Sequence, residues 1–69
     1  MTEKEAVIAI IGQEAFDNLI ESDEMSEEVY EKLFEEYYMD CEDMPYGTKK
    51  NRTGDAFNWI YDRLHQINK

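Results

Sequence analysis

Cysteine occurs once in the 69 residues, at Cys41, and histidine once, at His65. One thiol cannot close an internal disulfide, and one thiol with one imidazole falls short of the four ligands of a structural zinc site. Covalent and metal staples are thereby excluded, no cofactor is expected, and a reducing cytoplasm is the economical assignment. Bases are also scarce: seven Lys and Arg stand against seventeen Asp and Glu, a net charge of −10. Such a field repels a polyanion, which argues against direct binding of nucleic acid. No apolar run approaches the ~20 residues that span a bilayer. The longest, Ala6 to Ile11, is flanked by acids and lacks a basic n-region or a small-residue cleavage site. No targeting segment is visible, and a soluble protein without a membrane partner is expected.

What is present is apolar enough to fold. At 42% hydrophobic and 13% aromatic residues, the chain is too rich for a disordered acidic tail. It is short enough for one domain at most, and a domain of this size buries only roughly 60% of the surface its unfolded chain exposes. A core so thin comes out near balance against chain entropy, which makes association with a partner or a second copy a natural supplement.

The apolar periodicity predicts an all-α fold of three to four short helices, over residues 3–11, 13–20, 27–41 and 54–67. Thr2 and Glu5 stand in capping-box spacing, and Ala6, Val7, Ile10 and Ile11 follow one helical face before Gly12 ends it. Ala15, Phe16, Leu19 and Ile20 form the next face. Ser26 is the N-cap of the third helix, with Glu27 and Glu28 in its first turn. Val29, Tyr30, Leu33, Phe34, Tyr37, Tyr38 and Cys41 recur at 3.6-residue spacing, placing the tyrosines in the core with hydroxyls at its rim. Pro45 and Gly47 mark a loop that carries Lys49, Lys50 and Arg52, and Thr53 is placed to cap the last helix. There Phe57, Ile60, Tyr61, Leu64 and Ile67 share a side, while Trp59, Asp62, Arg63 and Gln66 lie elsewhere.

The charge is polarised along the chain. Residues 14–43 carry a balance of −12, and residues 44–69 a balance of +3. On the third helix Glu27, Glu31 and Glu35 are spaced four apart, which puts successive carboxylates about 6 Å apart along the axis. That is of the same order as phosphate spacing on a nucleic-acid strand. Glu28, Glu36 and Asp40 extend the acidic surface. A solvated helix face is the plain alternative, since glutamate is a good helix former and charge keeps a small domain soluble. Against it, like charges at i, i+4 each cost roughly 0.2–0.5 kcal/mol, on a domain with little stability to spare.

The remaining candidates carry less. The Lys49–Lys50–Arg52 loop fits neither the Walker nor the dinucleotide fingerprint, and a salt partner for the acidic helix is its simpler role. Cys41 fits a small core residue and His65 a residue near a helix C-terminus, so catalysis is not expected. The acid-rich stretches lack EF-hand spacing.

The function expected from these features is binding rather than chemistry. Glu27, Glu28, Glu31, Glu35, Glu36 and Asp40, with Trp59 as an aromatic contact, would dock on a basic, nucleic-acid-binding protein and compete with its DNA or RNA. In size and composition the chain is similar to phage-encoded inhibitors that imitate nucleic acid to block nucleases, CRISPR effectors or restriction enzymes, with no shared motif. The alternative is a structural or adaptor protein that makes a homodimer or hetero-oligomer through Trp59 and the tyrosines.

Overall fold

The computed structural model describes residues 1–44 and 54–69, and the order of elements is α1 (Glu3–Ile11), α2 (Gln13–Ser22), α3 (Glu27–Leu33), a π-helical turn (Phe34–Tyr38) and α4 (Asp55–Ile67). The fold is all-helical, as the periodicity predicts. The loop bearing Pro45, Gly47, Lys49, Lys50 and Arg52, together with Tyr46 and Thr53, lies outside the described residues.

Local chemistry sets the boundaries. Thr2 Oγ1 accepts from Glu5 N–H at 3.1 Å, and Glu5 Oε1 accepts from Thr2 N–H at 3.4 Å. This closes the capping box, whose two reciprocal bonds satisfy donors that the first helical turn leaves orphaned. Gly12 serves both as the C-cap of α1 and as the N-cap of α2, at φ 94°. Its N–H donates to Ile8 O at 2.7 Å and its carbonyl accepts from Phe16 N–H at 3.1 Å. One residue therefore turns the corner, in a conformation that glycine alone adopts without cost. Ser26 Oγ accepts from Val29 N–H at 3.2 Å, as its spacing predicts.

Three boundaries differ from expectation. α2 runs two residues past Ile20 to Ser22 and is capped by Asp23 in the left-handed region, φ 57°. α4 begins at Asp55 rather than at residue 54, with Gly54 as its N-cap and no side-chain cap there, while the cap expected of Thr53 falls outside the described residues. The largest difference is in the third helix: regular α geometry stops at Leu33, and the π-turn that follows ends at Tyr38, so that Met39, Asp40 and Cys41 lie beyond it.

The π-turn redistributes the tyrosines. At about 100° per residue, a continued α-helix would carry Tyr37 to within roughly 20° of Tyr30 and so to the middle of the buried face. A π-turn closes i→i+5 bonds and takes one more residue per turn. Tyr38 thereby takes the inward place, 3% exposed, and Tyr37 moves out to 40% exposure. The expectation that both tyrosines share the core is thus corrected: Tyr38 does, Tyr37 does not.

The core is a single cluster to which every element contributes: Val7 from α1, Phe16 and Leu19 from α2, Tyr30 and Leu33 from α3, Phe34 and Tyr38 from the π-turn, and Ala56, Ile60 and Leu64 from α4, with Met25 closing it. α1 lies at the centre of the assembly and packs on α2, α3 and α4. Tyr30 is wedged between Phe34 and Phe57, with ring centroids 5.9 and 5.4 Å away. Ala56 does not belong to the predicted stripe of α4, but its small side chain fits a fully buried position.

Candidate protein-binding surface

α3, the π-turn and the turn that follows it present the predicted acidic residues. Glu27, Glu28, Glu35, Glu36 and Asp40 are exposed, and Glu31 is half-buried. The straight row expected of Glu27, Glu31 and Glu35 is broken, however, because Glu35 belongs to the π-turn. A residue four positions on no longer stands over its predecessor once the turn widens. The surface therefore divides into a short α-helical group, Glu27, Glu28 and Glu31, and a second group beyond it that includes Asp40.

Asp40 leads into a different environment. A groove of about 360 Å³ lies between the π-turn and α4, lined by Tyr37, Tyr38, Asp40, Asp43, Trp59 and Arg63, with Glu3 and Cys41 completing its wall. Trp59 is half-buried rather than free on the surface. Its ring meets Tyr38 edge-on at 5.2 Å and 81°, and Tyr38 in turn meets Tyr37 edge-on at 4.9 Å and 84°. Edge-to-face pairs suit the ring quadrupoles and add about 0.5–1.5 kcal/mol beyond burial. The expected contact of Trp59 thus includes an internal one, with Tyr38.

A polar knot fixes the floor of this groove. Tyr38 Oη donates to Glu3 Oε2 at 2.6 Å. Arg63 donates to both oxygens of the same carboxylate, through Nη2 to Oε1 at 2.7 Å and through Nε to Oε2 at 3.0 Å. Three elements, α1, the π-turn and α4, meet at one carboxylate. The Arg63 guanidinium beside Glu3 holds its carboxyl below the ordinary carboxylate range, with the Tyr38 hydroxyl assisting. Burial, followed by the hydrogen bond to Glu3, pushes the Tyr38 phenol far above its ordinary range. Tyr38 therefore stays a neutral donor. With side chains 43% and 21% exposed, the Arg63–Glu3 pair is screened, and such pairs contribute at most about 1 kcal/mol.

His65 occupies a separate junction, where α4 meets the end of α2. Its Nδ1 lies 3.0 Å from Tyr61 O and its Nε2 3.0 Å from Asp23 Oδ1. Tyr61 Oη donates to Asp23 O at 3.0 Å, so Asp23 holds α4 twice. Both ring nitrogens face acceptors, so both bonds form only when the ring carries two protons. The Tyr61 carbonyl, and then Asp23, raise the His65 pKa above its ordinary value. A catalytic pair with Cys41 is not formed, because both ring nitrogens are engaged elsewhere. Cys41 is half-buried in the turn after the π-helix.

No protein-family model, no curated protein and no solved structure matches the chain. The site rests on its own geometry. Among the described residues no cluster of three or more His, Cys, Asp or Glu is arranged to hold a metal ion, and no helix is long and apolar enough to cross a membrane. The groove and the polar knot had no local signal in the sequence. Glu3 and Arg63 are 60 positions apart, and the one available hint was that Arg63 and Trp59 lie off the apolar stripe of α4.

Proposed function

We propose that the protein acts by binding, docking its acidic surface on a basic nucleic-acid-binding protein and competing with that protein's DNA or RNA. The observation that carries this reading is the separation of functions on α3: Tyr30 and Leu33 are buried while Glu27 and Glu28 stand on the exposed side, continued by Glu35, Glu36 and Asp40. Complementary charge of this kind raises association rates and orients the encounter, and it weakens as salt rises. The division of the acidic surface favours a partner that makes two contacts, one on α3 and one beside Trp59, over a partner that requires a regular ladder of charges. An inhibitor of a nuclease or of another defence enzyme is the biological form this reading takes.

The test is affinity capture from source-cell or host-cell extract with the native chain and with the variant Glu27→Gln, Glu31→Gln, Glu35→Gln. A nucleic-acid-binding protein retained by the native chain alone, and eluted by moderate salt, is the expected result. Equal retention by both chains contradicts the proposal.

A second reading, an oligomer built through aromatic surface, draws on the exposure of Tyr37 at 40% and Met39 at 43% beside the groove. Sedimentation equilibrium decides it, because a monomer across the working concentration range removes the homodimer.

A further inference from the structure

Two hollows of about 360 Å³ mark the described surface. The one between α2 and α3 is lined by residues such as Ala15, Asn18, Ser22 and Val29, with Glu24 as its one charged group among the described residues. Nothing in it selects a ligand. The groove between the π-turn and α4 is of similar size, but its chemistry converges: an aromatic series, Tyr37, Tyr38 and Trp59, stands beside carboxylates on the same wall.

The charges of that wall are not equivalent. Among the described residues Arg63 is the groove's cation, and Glu3 takes it through hydrogen bonds of 2.7 to 3.2 Å. Glu3 and Arg63 therefore answer one another. Asp40 and Asp43 are exposed, and among the described residues no base forms an ion pair with either. A neighbouring hollow of about 320 Å³ shares Asp43, Trp59 and Arg63 and adds Asp62 and Gln66. Among the described residues the trough is thus acidic along its length and aromatic at its centre.

A cation over an aromatic face is attracted by the ring quadrupole, and tryptophan is the strongest of the faces. Of the two basic side chains, arginine suits the groove better. Its guanidinium is planar, weakly hydrated, stacks on rings and matches carboxylates with paired hydrogen bonds. The groove is open at the surface, which suits a side chain delivered by a macromolecule. Its floor is already fixed by the bond from Tyr38 to Glu3, so little order has to be gained when the guest arrives.

Building on the proposed competition with nucleic acid, we infer that this groove receives an arginine side chain of the basic partner, with the aromatic wall against its guanidinium plane and Asp40 and Asp43 as its counter-charges. The bond to be made is the one that an arginine otherwise offers to phosphate, which accounts for competition without a regular imitation of the phosphate ladder.

Trp59 is the only tryptophan in the chain, so its fluorescence reports on the groove directly. The experiment titrates a short oligo-arginine peptide into the native protein at low salt, with the oligo-citrulline peptide as an uncharged control of the same shape. A saturable change with arginine, absent with citrulline and about fivefold weaker in affinity for Asp40→Asn, Asp43→Asn, is expected. The variant Glu27→Gln, Glu31→Gln, Glu35→Gln should change that affinity less than the groove variant does. A silent Trp59, or equal losses in the two variants, overturns the inference. If the groove variant loses its helical circular dichroism, calorimetric titration of Asp40→Asn and Asp43→Asn singly replaces it, with the same two outcomes. The two proposals fail separately. A silent Trp59 with capture still dependent on the α3 glutamates removes the groove and leaves the competition, whereas a responsive Trp59 with capture indifferent to those glutamates does the reverse.

Discussion

Asp23 is a non-glycine residue in the left-handed region, φ 57°, and it is held there by what its side chain and carbonyl do for His65 and Tyr61. The consequence for pH follows from the direction of the His65 shift. A histidine whose folded pKa lies above its unfolded value contributes stability that is complete below about pH 6.5 and is lost as pH rises through the folded value. The groups facing the ring, Asp23, Asp62 and Tyr61, all act in that direction. Glu3, lowered by Arg63 from an ordinary value of 4.5, behaves oppositely, and its contribution fades only as pH falls below that value. The protein should therefore melt at a higher temperature near pH 6 than near pH 8. His65→Gln should flatten this difference, and a variant that kept the full pH dependence would show that the junction is not its source. Gly12 supplies a second residue-scale prediction. With φ 94° and ψ 151° and nothing within 4 Å of an added Cβ beyond the adjoining backbone, Gly12→Ala meets no packed neighbour, so its cost is conformational, about 1–3 kcal/mol by chemical denaturation. A neutral result would mean that the α1–α2 corner relaxes to another geometry.

Among the elements, the starts of α2 and α3 were more legible than their ends, whereas both ends of α1 were legible. Thr2 with Glu5, and Ser26 with the acids after it, are short-range signals that act within one turn, and they act here as their spacing predicts. The π-turn had no such signal, because what selects it is remote. Tyr38 is drawn inward by Glu3, 35 positions away, and by its edge-to-face contact with Trp59 on α4. The periodic stripe from Val29 to Cys41 is consistent with an unbroken α-helix, and only those tertiary contacts favour the wider turn. If the π-turn is in effect one residue inserted into an α-helix, deleting Glu35 should leave a regular helix with the same two aromatic contacts at Tyr38. The shortened chain should then unfold cooperatively and within about 1 kcal/mol of the parent. Loss of cooperative unfolding would contradict this account of the turn. Asp23 escaped the sequence reading for a similar reason, since its partners Tyr61 and His65 lie at the far end of the chain.

For the whole molecule, the net charge of −10 was legible at once and its arrangement only in part. The balance of −12 across residues 14–43 suggests one continuous acidic row. The fold instead gives a short row on α3 and an acidic, aromatic trough beside Trp59. Trp59, with Asp62 and Arg63 one turn on from it along α4, could be suspected from its place off the apolar stripe, but Asp43 joins them only through packing of α4 against the turn that follows the π-helix. That arrangement also makes the binding reading sensitive to salt. Exposed charges are screened over about 8 Å at physiological ionic strength, whereas contacts with an aromatic wall are screened less.

The most direct measurement of the central claim is competition at equilibrium. The protein retained in the capture experiment is bound to a fluorescently labelled duplex or single strand, whichever it prefers, and the present chain is titrated in while anisotropy is followed. Displacement of the labelled nucleic acid by the native chain, with weaker displacement by Glu27→Gln, Glu31→Gln, Glu35→Gln, is the result predicted. Formation of a ternary complex, with the nucleic acid still bound at saturating concentrations of the chain, would contradict it.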